Sequence, residues 1–332
     1  MRLPQLICPA GSLPALKKAV KYGADAVYVG FKDPTNARNF GGLNFTDAQL
    51  AEGIAFAHRH GCEVLIAINT YLQAGRCAPW YAAVDRAAAL GADAVIIADL
   101  ALLDYAQRQQ PQLRRHLSVQ GSATNAEAIN LAHEYFGISR VVLPRVLTLA
   151  QVEYVAAHTP VEIEVFGFGS LCVMAEGRCA LSSYATGESP NTHGVCSPAH
   201  HVRWLKQDGI TGARLNHILI DQYPADEPAG YPTLCKGRFD INDDVFYALE
   251  EPTSLNTISI LTELIALGVA AIKVEGRQRS PAYTAQVTHI LRQALDAAGR
   301  EHYAVEAAWA SQLAALSEGH QQTLGAYHRP WR

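Results

Sequence analysis

One short phrase recurs five times along this chain and sets the fold class that the chain can adopt. It reads YGADAVYVG from Tyr22, GCEVLIAIN from Gly61, GADAVIIAD from Gly91, GISRVVLPR from Gly137 and GVAAIKVEG from Gly268. In each copy the glycine is expected to end a helix in the left-handed conformation. The β-branched run that follows is typical of a short parallel strand buried on both faces. The repeat therefore predicts helices that alternate with parallel strands.

Helical periods lie between the copies of this phrase. Apolar residues recur at intervals of three and four in the stretches 13–22, 47–60, 79–90, 125–136 and 149–158. Two of these stretches begin with N-cap signals, Thr46-Asp-Ala-Gln and Thr148-Leu-Ala-Gln. A further helix is expected over 281–298, after the last strand.

Three further strands, predicted over 5–9, 117–120 and 162–168, bring the expected number to eight, with 271–275 as the last strand. Eight βα units favour a closed, TIM-like (β/α)8 barrel. A doubly wound sheet would favour a glycine-rich first turn, whereas the turn after the first strand, CPAGS, has a single glycine.

The regular alternation breaks once, between strands seven and eight. Residues 169–253 lie there, although a barrel loop plus a helix needs only about 20 to 30 residues. An insertion at the carboxyl end of a barrel strand lies on the face where such folds carry their chemistry. We therefore divide the chain into residues 1–168, the first seven βα units; 169–253, a cysteine-bearing insertion; 254–298, the closing βα unit; and 299–332, a C-terminal helix and strap.

Composition excludes several classes of protein. Hydrophobic residues make up 49% of the chain and charged residues 17%, which predicts a large core and excludes a disordered chain. No uncharged apolar stretch is long enough to predict a membrane span. The formal net charge is −4 and no run of Lys or Arg exceeds two, so no nucleic-acid partner is expected. The N-terminus does not have the pattern of a signal peptide, which favours a cytoplasmic location and reduced cysteines.

Four of the seven cysteines fall in the insertion, with the spacing Cys172-x6-Cys179-x16-Cys196-x38-Cys235. Four neighbouring thiolates need a multivalent cation, because their mutual repulsion would otherwise protonate them. Structural zinc usually takes its ligands as close pairs, which this spacing lacks. The wide spacing favours a [4Fe–4S] cluster, with zinc and inert buried thiols as open alternatives. The remaining three cysteines are interpreted as having no part in this site: Cys8, Cys62 and Cys77.

The segment from Glu164 to Ser182 resembles the signature of the collagenase-like (unassigned) peptidase family. That signature, Glu-x-Phe-x-x-Gly-Ser-Leu-Cys-x4-Gly-x-Cys-x-Leu-Ser, is matched at every fixed position. Other segments resemble, essentially from end to end, members of this family that act in ubiquinone biosynthesis. They include KDPTNARNFGGLNFT, GESPNTHGVCSPA and VEGRQRSPAY.

This resemblance implies a cytosolic protein with a [4Fe–4S] cluster bound by Cys172, Cys179, Cys196 and Cys235. It implies a heterodimer with a related chain, UbiV, in the oxygen-independent hydroxylation of the ubiquinone ring, and hence a quinone-precursor substrate. Other members of the family hydroxylate RNA bases with prephenate as the apparent oxygen source, which suggests a prephenate-like donor here. The peptidase name comes from a subset of the family, and proteolysis is not the implied activity.

A dicarboxylate donor predicts guanidinium groups at the barrel mouth, because guanidinium binds carboxylate in a bidentate manner. Arg145 follows strand six, Arg277 follows strand eight, and Arg38 lies in the loop after strand two. A salt bridge at the barrel rim is the alternative role for each. The other strand-end candidates are Asn69 and Gln120 for substrate binding and Glu275 for a polar or proton-handling role.

Three functions stay open at this point: a subunit of an oxygen-independent ring hydroxylase, an RNA-base hydroxylase, and a zinc-stabilised peptidase or structural protein. The negative net charge disfavours the second function. The chain has no Gly-x-Ser-x-Gly elbow and no His-Glu-x-x-His, which disfavours the peptidase. His200 and His201 follow Cys196. They are interpreted either as hydrogen-bond donors around a cluster or as a pair of exposed loop residues. The sequence favours the ring hydroxylase.

Overall fold

The computed structural model describes residues 3–172, 174, 178–300 and 302–328 of the chain. Its strands are β1 (Gln5–Pro9), β2 (Ala26–Gly30), β3 (Glu63–Ile68), β4 (Ala94–Ile97), β5 (Arg114–Leu117), β6 (Arg140–Val142), β7 (Glu162–Ser170), β8 (Val202–Gln207), β9 (Ile210–Leu215), β10 (Ile218–Tyr223), β11 (Arg238–Ile241), β12 (Asp244–Tyr247), β13 (Thr253–Asn256), β14 (Ala271–Val274) and β15 (Gln321–Thr323). Its helices are α1 (Leu13–Lys21), α2 (Asp47–His58), α3 (Ala78–Ala89), α4 (Leu100–Gln109), α5 (Ala126–Phe136), α6 (Leu149–His158), α7 (Ala180–Thr186), α8 (Pro190–His193), α9 (Leu261–Ala266), α10 (Pro281–Ala298) and α11 (Ala307–Leu316).

Eight parallel strands close into a barrel. Strands β1 to β7 follow one another in chain order, and β14 pairs with both β7 and β1 to complete the ring. Each of the helices α1 to α6 follows the strand of the same number and leads to the next strand. The prediction of a TIM-like barrel with an insertion between its seventh and eighth strands is confirmed.

The glycines of the recurring phrase adopt the left-handed conformation that the sequence predicts. Its glycines at 23, 61, 91, 137 and 268 all have positive φ, between 57° and 100°. Both predicted N-caps form capping boxes, in which the threonine oxygen accepts from the backbone of the third helical residue and the glutamine returns the contact. Helix α4 lies outside the predicted helical stretches.

The prediction of a strand over 117–120 is wrong. Strand β5 ends at Leu117, and Val119–Gly121 form a 3-10 turn. The strand was hidden because it carries Arg115 and His116, which are buried residues of polar type. The Arg115 guanidinium satisfies its donors on backbone carbonyl groups, including that of Leu113 at 2.8 Å. A hydrophobic pattern therefore places the strand three residues too late.

Side chains alternate between two apolar layers along the barrel strands, as parallel strands require. In β3, for example, Val64 and Ile66 belong to the main core, which includes the buried faces of the surrounding helices, whereas Leu65 belongs to a second cluster with Ile7 and Ile96. This second cluster fills only part of the barrel interior.

A charged group fills another part of the interior. Glu164 is fully buried and accepts a 2.6 Å hydrogen bond from Lys273 Nζ. Its other oxygen lies 3.3 Å from Arg140 Nη1. Arg140 also donates to Glu162 at 2.5 Å and to Gln5 at 2.6 Å. Each buried charge has a partner, as burial in a low dielectric demands.

The insertion forms a small structure of its own. Strands β8, β9 and β10 make an antiparallel sheet, and β11 and β12 make a hairpin. A separate apolar cluster of Ala185, Val202, Leu215 and Ile220 lies under this sheet. The chain then returns through β13, which pairs antiparallel with the end of β7.

The C-terminal segment packs on the barrel. Trp309 and Leu313 of α11 are buried in the main core, and the Trp309 indole donates to Gln293 of α10 at 3.2 Å. Strand β15 extends the sheet beside β13. Within the described residues, no helix is long and apolar enough to cross a membrane.

Candidate functional site

The insertion is fastened to the loops at the carboxyl ends of the barrel strands. The Arg38 amide, in the loop after β2, donates to the Gly194 carbonyl at 2.6 Å. The Arg178 guanidinium donates to the hydroxyl of Tyr71, which itself donates to the Gln120 carbonyl at 2.5 Å. These contacts hold the segments next to Cys179 and Cys196 against the barrel mouth.

Four separate segments carry the four predicted thiols. Cys172 follows the end of β7, and Cys179 is the N-cap of α7, where its sulfur accepts from the Ser182 amide at 3.3 Å. Cys196 lies in the turn after α8, and Cys235 lies in a 3-10 turn before β11. None of these four cysteines forms a disulfide.

These thiols lie within electrostatic range of one another. The pKa of the Cys235 thiol is raised to about 12, mainly by burial and to a smaller extent by the neighbouring Cys196 and Cys172. Burial also raises the pKa of Cys179, with a further contribution from Cys196. Bringing them together as thiolates therefore requires a positively charged group among them. The donor set fits a multivalent metal centre.

The four sulfurs are more widely spread than the ligands of a single tetrahedral ion. Zn–S distances of about 2.3 Å put tetrahedral sulfur ligands about 3.8 Å apart. Among the described residues, no three of these sulfurs lie within 4.8 Å of one another. The other three cysteines lie elsewhere, and two of them, Cys8 and Cys62, belong to the main apolar core.

A small cavity of about 40 Å³ lies at the upper end of the barrel interior. The polar atoms around it come from Tyr28, Asn69, Ser118, Lys273 and Arg277. Burial lowers the pKa of Lys273, which Glu164 opposes, and burial raises the pKa of Tyr28. The remaining lining residues are apolar: Ala67, Ile96, Val119 and Val142.

Arg277 is the most strongly buried cation of this mouth. Its side chain donates to the Ala37 carbonyl, and its Nε and Nη1 atoms are buried without a hydrogen-bond partner. Burial lowers its pKa to about 10. A buried guanidinium with unsatisfied donors is a suitable site for a carboxylate, which would accept from one of them.

Glu275 is surrounded by guanidinium groups. Its Oε1 lies 3.6 Å from Arg38 Nε, and its Oε2 is buried with no hydrogen-bond partner. Burial raises the pKa of the carboxyl, but Arg38, Arg145 and Arg279 outweigh this effect, so the pKa lies below its usual value. The carboxylate is therefore ionised at neutral pH and acts as an acceptor there.

The predicted substrate-binding residues occupy two places. Asn69 and Arg277 line the cavity, whereas Arg38 and Arg145 lie around Glu275. Asn69 already accepts from the Ala37 amide at 3.0 Å and donates to Ser118 at 3.4 Å, so it also positions the loop after β2. The Arg145 guanidinium stacks on Phe166, 3.9 Å from the ring centroid.

Gln120 lies in the middle of the 3-10 turn Val119–Gly121, beside this cavity rather than in its lining. Its carbonyl accepts from Tyr71, while its side-chain oxygen is buried without a hydrogen-bond partner. Sequence reasoning missed Tyr28 and Lys273, although a lysine in the buried run AIKV was a usable signal. A buried strand rarely carries a cation unless a partner faces it.

Comparison with known proteins places this chain among relatives. The model of peptidase family U32 matches residues 11–329. The tRNA hydroxylation protein P1 of Bacillus subtilis (strain 168) is 30% identical over 315 residues, which cover 93% of this chain and 68% of that protein. The 23S rRNA 5-hydroxycytidine C2501 synthase of Escherichia coli (strain K12) is 29% identical over 297 residues, which cover 88% of this chain and 39% of that protein.

The solved structure of the U32 peptidase Mk0906 has a TM-score of 0.43 and 15% identity, over 52% of this chain and 71% of that one. This chain thus spans about two thirds of the tRNA hydroxylation protein and a smaller part of the rRNA enzyme. The names of these two relatives conflict weakly with the expectation that nucleic acid has no part in the function. The match to the family model covers almost the whole chain, so this protein belongs to peptidase family U32.

Proposed function

We propose that this chain is a subunit of an oxygen-independent hydroxylase that carries a [4Fe–4S] cluster on Cys172, Cys179, Cys196 and Cys235. The observation that carries the proposal is the approach of four cysteine thiols from separate segments, in an insertion fastened over the barrel mouth. Hydroxylation proteins among the relatives support the reaction class.

The spread of the thiols supports a cluster over a single zinc ion. A cube of several irons separates its ligands more widely than one tetrahedral ion does, and no three of the described sulfurs lie within 4.8 Å of one another. When bound, the cluster supplies one-electron redox chemistry that no side chain of this protein can perform.

The residues of the mouth support an anionic oxygen donor of the prephenate type. Arg277 offers a buried donor to a carboxylate, and Arg38 and Arg145 add positive charge around Glu275. Replacing a ring hydrogen with a hydroxyl oxidises the ring by two electrons. The donor gives up the oxygen atom and is reduced by the same two electrons, so the exchange balances without dioxygen. Glu275, as an ionised acceptor, orients the donor or receives the ring proton.

The finer proposal is that the substrate is a ubiquinone-ring precursor and that the chain acts in the cytoplasm as UbiU, in a heterodimer with UbiV. The resemblance of segments along the whole chain to ubiquinone-biosynthesis members of the family supports it. The net charge of −4 supports a small aromatic substrate over a polyanion.

An RNA base is the second candidate substrate, because two relatives are named for tRNA and rRNA hydroxylation. Proteolysis has less support. The two serines beside the cysteines both donate to non-histidine acceptors, Ser170 to Glu318 and Ser182 to the Cys196 carbonyl. Neither contact is the serine–histidine pair of a serine protease.

The test is a deletion strain grown without oxygen and complemented with the wild-type gene or with Cys179→Ala. Quinone intermediates and the nucleosides of digested tRNA and rRNA are measured by mass spectrometry in the same cells. We expect an unhydroxylated quinone precursor to accumulate in the deletion and in the Cys179→Ala strain, with RNA hydroxylation unchanged. Loss of an RNA hydroxylation with normal quinones would overturn the ubiquinone proposal and favour the RNA base.

A further inference from the structure

A group of three metal-ligating side chains lies in the insertion, apart from the four cysteines. Glu188 follows α7, and His200 and His201 form the 3-10 turn after Cys196. Glu188 Oε1 lies 3.0 Å from His200 Nε2 and 3.6 Å from His201 Nε2. All three ligand atoms lie within 4.8 Å of one another, the one such trio among the described residues.

The orientation of His201 is fixed by a neighbouring amide. Asn216, in the turn between β9 and β10, donates through Nδ2 to the Ala185 carbonyl at 2.6 Å. Its Oδ1 therefore faces His201 Nδ1, at 2.7 Å. Because this oxygen can only accept, Nδ1 must carry the ring proton. In the neutral ring, the lone pair is then on Nε2.

That lone pair has no hydrogen-bond donor to meet. His201 Nε2 is buried, makes no hydrogen bond and faces a carboxylate oxygen 3.6 Å away, which is also an acceptor. Two facing acceptors need a positive charge between them, either a proton or a metal ion. A histidine that donates its other ring hydrogen to a fixed oxygen, as His201 does to Asn216, is the arrangement found in metal sites.

We propose that Glu188, His200 and His201 bind a zinc-type divalent ion. Bonds of about 2.0 to 2.2 Å from zinc to nitrogen and oxygen put tetrahedral ligands about 3.4 Å apart. The two measured separations, 3.0 and 3.6 Å, lie on either side of that value. The His200 side chain is 65% exposed, which leaves the fourth position to water.

The ion would join two parts of the insertion that carry different cysteines. Glu188 follows the helix that begins at Cys179, and the two histidines lie four and five residues after Cys196. Asn216 also fixes the β9–β10 turn beside the histidines, because its backbone N–H donates to the His201 carbonyl at 2.7 Å. The site therefore stabilises the insertion and does not depend on the proposed hydroxylation.

The test is zinc binding to the protein purified without oxygen, measured by equilibrium dialysis and by X-ray absorption at the zinc edge. The variants are His201→Gln, Glu188→Gln and Asn216→Ala, with His217→Gln as the control, since His217 is an exposed histidine of the same insertion. The four cysteines are unchanged in every variant, so zinc held by thiols is a constant background.

We expect wild type and His217→Gln to bind one more zinc ion per chain than His201→Gln and Glu188→Gln do. The extra zinc should have nitrogen and oxygen neighbours at about 2.0 to 2.1 Å and no sulfur at 2.3 Å. Asn216→Ala should bind it about 10- to 100-fold more weakly, because that residue orients His201. Equal zinc in wild type and His201→Gln, or a purely sulfur shell, would overturn the proposal and leave a protonated histidine beside Glu188.

Discussion

The backbone amide of Arg38 donates a 2.6 Å hydrogen bond to the carbonyl oxygen of Gly194, two residues before Cys196. Arg38 also lies 3.6 Å from Glu275 through its Nε. One residue of the barrel mouth therefore contacts both the cysteine-bearing insertion and the strand-end carboxylate, which couples the position of Cys196 to the charged mouth.

Substitution of Gly194 should loosen this contact. Gly194 has a φ of +86°, and an added Cβ would lie 2.5 Å from the Asn36 carbonyl oxygen. The insertion would have to move off the mouth, so Gly194→Ala should lower both iron content and the unfolding midpoint. Gly187→Ala is the control, because Gly187 has a φ of +73° but nothing within 4 Å of its Cβ. It should lose only the backbone cost of about 1 to 2 kcal/mol, and equal losses in both variants would contradict a steric contact with the barrel.

The two glutamates of β7 that contact Arg140 should differ strongly in their effect on stability. Glu164 is fully buried between Lys273 and Arg140, and Glu164→Gln leaves buried Lys273 without its counter-charge and Arg140 with Glu162 as its remaining carboxylate. We expect a loss of about 3 to 5 kcal/mol in the free energy of unfolding, measured with denaturant. Glu162→Gln is the matched control, because the Glu162 side chain is 44% exposed, and it should cost no more than about 1 kcal/mol. Similar losses in the two variants would refute the buried role of Glu164.

Glu275 should contribute a pH-dependent term to stability. Its pKa is lower in the folded protein than its ordinary value of 4.5. The unfolded chain therefore binds the proton more readily, so stability from this group is fully present above that value and is lost as pH falls towards the folded pKa. Unfolding of wild type and Glu275→Gln at several pH values measures it. The stability of wild type relative to the variant should decrease from neutral pH to below pH 4.5, and a difference that is independent of pH would contradict the prediction.

Arg277 should bind the carboxylate of the oxygen donor. Its buried Nε and Nη1 atoms lie on different edges of the guanidinium and both lack a hydrogen-bond partner, an arrangement of donors that the single ammonium of a lysine does not supply. We expect Arg277→Lys to raise the KM for a prephenate-type donor by about tenfold or more, with a smaller effect on kcat, in an anoxic assay with the partner chain. Arg86→Lys serves as the control, because Arg86 is paired with Asp33 through a half-exposed side chain and does not line the cavity. An unchanged KM in Arg277→Lys would remove Arg277 from donor binding.

The regular parts of the fold could be predicted because local signals agree with tertiary structure there. The glycines of the recurring phrase follow the ends of helices, and the β-branched runs after these glycines form β2, β3, β4, β6 and β14. Strand β5 was misplaced because it buries two residues of polar type, Arg115 and His116. Hydrophobic periodicity cannot identify such residues, since it treats every charged side chain as exposed.

The site could be predicted only where residue type restricts the chemistry. Four thiols in one insertion indicate a metal centre even when their neighbours in space are unknown. The role of Lys273, in contrast, depends on Glu164, which lies 109 positions away. The trio around His201 depends on the Asn216 amide in the same way. Pairings of this kind are set by strand register and turn contacts, which a linear pattern does not contain.

Metal analysis of protein purified without oxygen decides whether the four cysteines bind an iron–sulfur cluster. Iron and acid-labile sulfide are measured in wild type, Cys172→Ala and Cys8→Ala, together with EPR spectra of the reduced proteins. We expect iron and sulfide in equal amounts and a cluster spectrum in wild type and in Cys8→Ala, because Cys8 is a core residue. Both should be reduced or lost in Cys172→Ala. Wild-type protein from iron-replete anoxic cells that contains zinc or no metal, or Cys172→Ala with unchanged iron, would contradict the proposed cluster.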